Sequence, residues 1–181
     1  MTFLIEPGQD RKVAAIRCRR VCDGFLFMDI TKENIDKIRE ELSLLNKEAI
    51  NNDEIPVSAL LLYEDAGVKV EKSHNLTKKE CSLSHAEINV IRKALEKSKR
   101  AYFDDAVLFV TLEPCLMCMG AILKSKIKKL FYFADDEKEG AFSSYHLFVE
   151  DKIEVVRCYD ERYVEDLSSF FKKKREKRLI Y

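Results

Sequence analysis

Apolar positions recur at two periods along this chain. Ile35, Ile38, Leu42 and Leu45 fall three and four residues apart behind Thr31-Lys32-Glu33-Asn34, which offers a cap, and they predict a helix ending near Asn51-Asn52. Pro56 then opens the run Val57–Tyr63, which reads as a buried strand. Glu64–Gly67 reads as a turn, and Val68–Ser73 alternates as a return strand. Ala86–Lys99 sets Ile88, Ile91 and Leu95 on one helical face. Ala106–Thr111 reads as a central strand, Cys115–Lys124 as a helix, Lys129–Ala134 as a strand and Ile153–Val156 as a fifth strand. Asp160–Ile180 closes the chain as a helix with Tyr163, Leu167, Phe170 and Phe171 on one side. This order, α-β-β-α-β-α-β-β-α, predicts an α/β protein with a mixed five-stranded sheet and helices on both faces. Residues 1–30 fit neither period; they hold Pro7-Gly8, a run of basic side chains and the pair Cys18/Cys22. They read as an extension ahead of one domain at 31–181.

A length of 181 residues suits one domain, which buries roughly two-thirds of its unfolded surface without disulfide staples. Hydrophobic residues make up 46% and charged residues 35%, the profile of a packed domain with a heavily charged surface. Lys plus Arg and Asp plus Glu both number 32. That balance excludes a generally basic nucleic-acid coat and leaves room for local patches, such as Lys172–Arg178 at the end of the last helix. No apolar run approaches the ~20 residues that span a bilayer. The apolar start meets Glu6-Pro7 too early for a signal-peptide core, so the expected address is cytoplasmic, with no membrane partner. In such a setting the six cysteines are metal ligands or thiols rather than a disulfide framework. Cys81 and Cys158 are expected to pack.

Among those cysteines, Cys115 and Cys118 stand at the tight spacing of a metal pair. The chemical signal is His85-Ala86-Glu87, then 26 residues, then Pro114-Cys115-Leu116-Met117-Cys118. One imidazole and two thiolates suit zinc. Cys115 and Cys118 lie in the first turn of a helix, whose positive end favours the ligating thiolate. Three protein ligands leave one tetrahedral position open, as a catalytic zinc requires if water is to be activated near neutral pH. Glu87 is read as a non-ligand, close enough to take a proton from that water and return it to a substrate. A lone Cys-x-x-Cys is also a structural half-site or a redox pair. A closed site would need a fourth ligand from Cys18, Cys22, Cys81, Cys158, His74 or His146, none of them paired at a matching spacing.

The H-x-E…P-C-x-x-C arrangement is the zinc deaminase signature. Within that superfamily, which includes cytidine and deoxycytidylate deaminases, the stretch Thr111–Ile122 resembles the tRNA-specific adenosine deaminases. Further matches are Glu54-Ile55-Pro56-Val57, His74-Asn75, Gly140-Ala141 and Phe170-Phe171 followed by basic residues. The resemblance covers about Lys32 to the C-terminus. It implies a three-layer, cytidine-deaminase-like fold, one Zn2+ per chain held by His85, Cys115 and Cys118, and Glu87 as the catalytic proton shuttle. It implies that Asn75 hydrogen-bonds the target base, that Pro56, Val57 and Ala86 line the pocket, and that Asp136 and Lys138 contact the RNA backbone. The implied reaction is hydrolysis of adenosine to inosine at the wobble position of a tRNA anticodon stem-loop, by a homodimer. The rivals are a deaminase of a free base, nucleoside or nucleotide, and a non-catalytic RNA-binding zinc module. The chain departs from the family at Ser58, at Cys81-Ser82-Leu83-Ser84, at Phe133 and at the acidic run from Asp135. These departures are expected at the rim of the substrate pocket.

Overall fold

The structure, a computed structural model, describes residues 31–149 and 151–178, and the side chains within them as far as Glu176. The N-terminal 30 residues, with Cys18 and Cys22, lie outside the described residues, as do the side chains of Lys177 and Arg178. The elements are α1 (Lys32–Asn51), β1 (Ser58–Glu64), β2 (Val68–His74), α2 (Ala86–Ser98), β3 (Val107–Val110), α3 (Leu116–Lys124), β4 (Lys129–Tyr132), β5 (Glu154–Arg157) and α4 (Glu161–Arg178). The order read from the sequence is the order observed, with described ends that move by one to two residues; Ile180, the expected end of the last helix, lies outside the described residues. The sheet runs β2-β1-β3-β4-β5. β1 is antiparallel to both neighbours, whereas β3, β4 and β5 are parallel.

Period-two alternation splits the central strands between two cores. Ala59, Leu61 and Tyr63 of β1, with Leu108 and Val110 of β3, meet Ala86, Val90 and Ile91 of α2 and Met119 and Ile122 of α3. The intervening Leu60, Leu62, Val107 and Phe109 meet Leu42 and Leu45 of α1 and Tyr163 of α4. β1 therefore reads as a nearly continuous apolar run, because both of its faces are covered. α1 begins as its cap predicts, with Thr31 Oγ1 accepting from the Asn34 N–H at 3.3 Å. In α4, Tyr163 and Phe170 are buried, but Phe171 is 42% exposed and lies outside the apolar stripe expected of it.

Two of the sequence departures are buried beneath the sheet and not at the rim. Ser58 is fully buried, and its hydroxyl donates to Asn46 Oδ1 at 2.7 Å. Asn46 in turn donates to Asp166 Oδ2 at 3.3 Å, so one polar chain ties β1 to α1 and α4. Phe133 is also fully buried, its ring 5.5 Å from that of Tyr163, whose hydroxyl donates to the Arg39 carbonyl at 2.8 Å. Asp135 accepts a forked pair of hydrogen bonds from Arg157. These side chains fasten helices and strands to one another, so bulk at 58 and 133 is accommodated beneath the sheet. Cys81 is exposed rather than packed, and Cys158 is half-buried. Asn46→Ala should cost about 1–3 kcal/mol, because the buried Ser58 hydroxyl loses its acceptor. Urea unfolding would show this as a lower midpoint; an unchanged midpoint would remove the network's structural role.

Candidate active site

Three chain segments arrive at one end of the sheet. Pro56-Val57 precede β1, His74-Asn75 end β2, and Leu112–Cys115 follow β3. Two helices begin there as well, with His85 and Cys115 as the N-caps of α2 and α3. Neither cap side chain bonds its own helix. Both are instead turned toward Cys118, which is fully buried in the first turn of α3. His85 Nδ1 lies 3.8 Å from Cys115 Sγ and 3.6 Å from Cys118 Sγ, and all three donor atoms lie within 4.8 Å of one another.

That spacing fits a metal. Zinc–sulfur and zinc–nitrogen bonds of tetrahedral sites place a sulfur and a nitrogen ligand roughly 3.5 Å apart. The charges fit too. The Cys118 thiol donating to Cys115, helped by His85, holds Cys115 down to about 4. The same contact and burial push Cys118 up, and Cys115 raises His85. The three groups thus already share protons as a coupled set, and a divalent cation held between them would take both sulfurs as thiolates.

Glu87 sits in the first turn of α2, 3% exposed, and its Oε2 has no hydrogen-bond partner among the described residues. Burial pushes its carboxyl up to about 7. A buried carboxylate left unpartnered is costly unless the site uses it. Asn75 is also buried. Its Oδ1 accepts from the Ala86 N–H at 2.7 Å, which directs its amide nitrogen away from α2, and that nitrogen makes no hydrogen bond among the described residues. Pro56, Val57 and Ala86 are buried; Ala86 stands between His85 and Glu87, and the Val57 carbonyl accepts from the Asn75 N–H at 2.9 Å.

Asp136 and Lys138 lie on the segment after β4 and are not among the three grouped donors. Asp136 Oδ1 accepts from the Lys138 and Glu139 N–H groups at 3.0 and 3.1 Å, so its carboxylate shapes its own turn, and Lys138 is exposed. His74 is buried, with Nδ1 bonded to the Asn75 carbonyl at 2.7 Å, and is not among the three grouped donors.

Two carboxylates had no role assigned from the sequence. Glu54, 1% exposed, accepts from the Lys78 and Lys79 N–H groups at 3.0 and 2.8 Å and so holds the segment between Asn75 and His85. Glu113, 2% exposed, is bonded to the segment after β4. A lone acid in an apolar or prolyl run at a strand end was the available signal. A groove beside Glu54 and Ile55 is lined by Thr77, Lys78, Phe170, Phe171, Lys174 and Arg175. Lys174 and Lys78 both pair with Asp53 there and hold its carboxyl down to about 2.

The sequence model of MafB19-like deaminases matches residues 33–175. The chain is 38% identical over 151 residues to the tRNA-specific adenosine deaminase of Haemophilus influenzae, covering 79% of this chain and 86% of that one. It is 36% identical over 135 residues to the protein of the same description from Rickettsia bellii, covering 71% of this chain and 93% of that one. A solved structure from a study of A-to-I editing by tRNA deaminases at the wobble position of transfer RNA superposes with a TM-score of 0.59 at 32% identity, over 68% of this chain and 98% of that one.

Proposed function

Because this chain belongs to the MafB19-like deaminase family, among the tRNA-specific adenosine deaminases, we propose that it converts adenosine to inosine at the wobble position of tRNA anticodons. The observation that carries the reading is the juxtaposition of buried Glu87, its Oε2 without a hydrogen-bond partner among the described residues, with the grouped His85, Cys115 and Cys118. A closed structural site has no use for that carboxylate. In this reading residues 31–181 form the deaminase domain and residues 1–30 an extension, a division supported by the family match to 33–175.

His85, Cys115 and Cys118 would hold one Zn2+, which when bound polarises water so that it loses a proton near neutral pH. Glu87 accepts that proton, and its raised affinity for protons suits the task. The water oxygen bonds to C6 of adenine as Glu87 passes this first proton to the ring nitrogen; Glu87 then takes the second proton from the new C6 hydroxyl and passes it to the amine. The C6–N bond breaks, and ammonia leaves an inosine. Asn75, its Oδ1 anchored to α2, offers its amide nitrogen to an acceptor on the base. Pro56, Val57 and Ala86 form the apolar wall against which the base, turned out of the loop, packs. Such turning out costs least in a single-stranded loop.

RNA contacts fall on Asp136 and Lys138 after β4 and on the groove beside α4. Lys172, Lys173 and Arg175 are exposed and make no ion pair among the described residues. Replacing the three with Ala should weaken stem-loop binding and reduce the salt slope by up to about 2–3 units, since each lost phosphate contact removes roughly 0.7–0.9 units. Titrations at several salt concentrations would measure this, and an unchanged slope would leave the helix end merely solvated. No described helix is long and apolar enough to cross a membrane. A cytoplasmic homodimer completes the reading, and sedimentation would test its dimeric half.

The direct test is incubation with a stem-loop bearing wobble adenosine, scored for inosine by mass spectrometry. Parallel incubations with guanine, cytosine and deoxycytidylate separate the rival substrates. Turnover of a free base without turnover of RNA would replace this reading.

A further inference from the structure

Glu113 lies two residues ahead of Cys115, and its carboxylate is buried without an ion pair among the described residues. Every hydrogen bond to it comes from one segment. Oε1 accepts from the Phe142 and Ser143 N–H groups at 2.6 and 2.7 Å; Oε2 accepts from the Asp136 N–H at 3.1 Å and the Ser143 hydroxyl at 2.5 Å. Such a buried carboxylate is stabilised by donors fixed in place, and it fixes them in return. The same segment is fastened to the metal-site strand beside it. Ala141 donates to the Pro114 carbonyl at 2.9 Å, and Gly140 bridges Cys115. Gly140 sits so close that a Cβ there would stand 2.5 and 2.6 Å from atoms of the Glu113 carboxyl and 2.4 Å from the Asp136 carbonyl. The absence of a side chain at 140 is what admits the carboxylate.

We propose that Glu113 is a positioning residue: its carboxylate sets the 136–143 segment against Cys115, and so places Asp136 and Lys138 at the entrance for the RNA. This rests on the deaminase reading above. The clamp joins two parts of the site that have no other connection in sequence, the first cysteine and the RNA-contacting turn. Gln at 113 has nearly the same shape but one acceptor oxygen. That oxygen keeps Phe142 and Ser143, the rotatable Ser143 hydroxyl accommodates the new NH2, and the Asp136 N–H then meets a donor. Glu113→Gln therefore releases the segment at its Asp136 end only.

The test uses the full chain reconstituted with zinc. In Glu113→Gln, hydrogen exchange at the Asp136 amide should quicken about tenfold, the scale set by one lost charged hydrogen bond. KM for the stem-loop should rise about tenfold with kcat within about threefold, the pattern of lost binding common to ground and transition states. Zinc content should stay at that of the wild type. Wild-type exchange and KM in Glu113→Gln would overturn the proposal, and so would loss of zinc with kcat reduced and KM unmoved. If the wild-type protein forms no inosine, the deaminase reading falls, while the exchange at Asp136 still decides whether Glu113 holds the segment.

Discussion

Glu87→Ala should keep its metal and its fold while slowing the chemical step by about 10²–10⁴-fold, toward the upper end because one group serves successive proton transfers. The water would then have no neighbouring base and the leaving amine no acid. Stability should not fall by the usual amount for a truncated buried side chain. Glu87 is 3% exposed with an unpartnered Oε2, so the native protein already bears the cost of desolvating a carboxylate. Removing that cost offsets the cavity left behind. Single-turnover rates, elemental analysis and thermal melting together decide the matter. Near-normal turnover would put the proton shuttle elsewhere, and loss of zinc would make Glu87 a ligand.

Cys118→Ala is expected to fail in a different way, losing metal, activity and melting temperature together. Cys118 is fully buried, and its sulfur lies 3.6 Å from His85 Nδ1. A metal held there binds the folded chain and not the unfolded one, so its binding free energy adds to stability. The wild-type melting temperature should therefore drop when a strong chelator is added, whereas that of Cys118→Ala should not respond. His85→Ala and Cys115→Ala should follow Cys118→Ala. Wild-type protein that carries no zinc after reconstitution, or melts identically with and without chelator, would remove the metal from the mechanism. Activity should fall below about 1% in each ligand variant, since the chemistry needs both the polarised water and its base.

The contrast between these variants was already legible in the residues. His85-Ala86-Glu87 and Pro114–Cys118 declare ligands and a carboxylate within two short segments, each at the start of a helix. Local order was legible for the same reason. Alternation in β1 and the three- and four-residue spacing in α1 are short-range consequences of backbone geometry, and they can be read along the chain without knowing what packs where. The buried run of β1 also announced a strand covered on both faces.

What could not be read is where the side chains between those signals would go. Phe171 follows the helical period of α4 but lands beside a groove, because the stripe is only as wide as the surface it meets. Ser58 and Phe133 differ from the family at positions expected on the rim, yet they point beneath the sheet to Asn46 and Tyr163. Glu54 and Glu113 carry no periodic mark at all. Most of their partners are main-chain N–H groups more than twenty residues away, and a main-chain donor looks the same in every residue type. Periodicity records which face a side chain occupies within its own element. It holds no record of which loop will later cross that face, so the chemistry at 85–87 and 115–118 was written in residue types, while the clamps that aim it arose only when distant backbone closed over buried carboxylates.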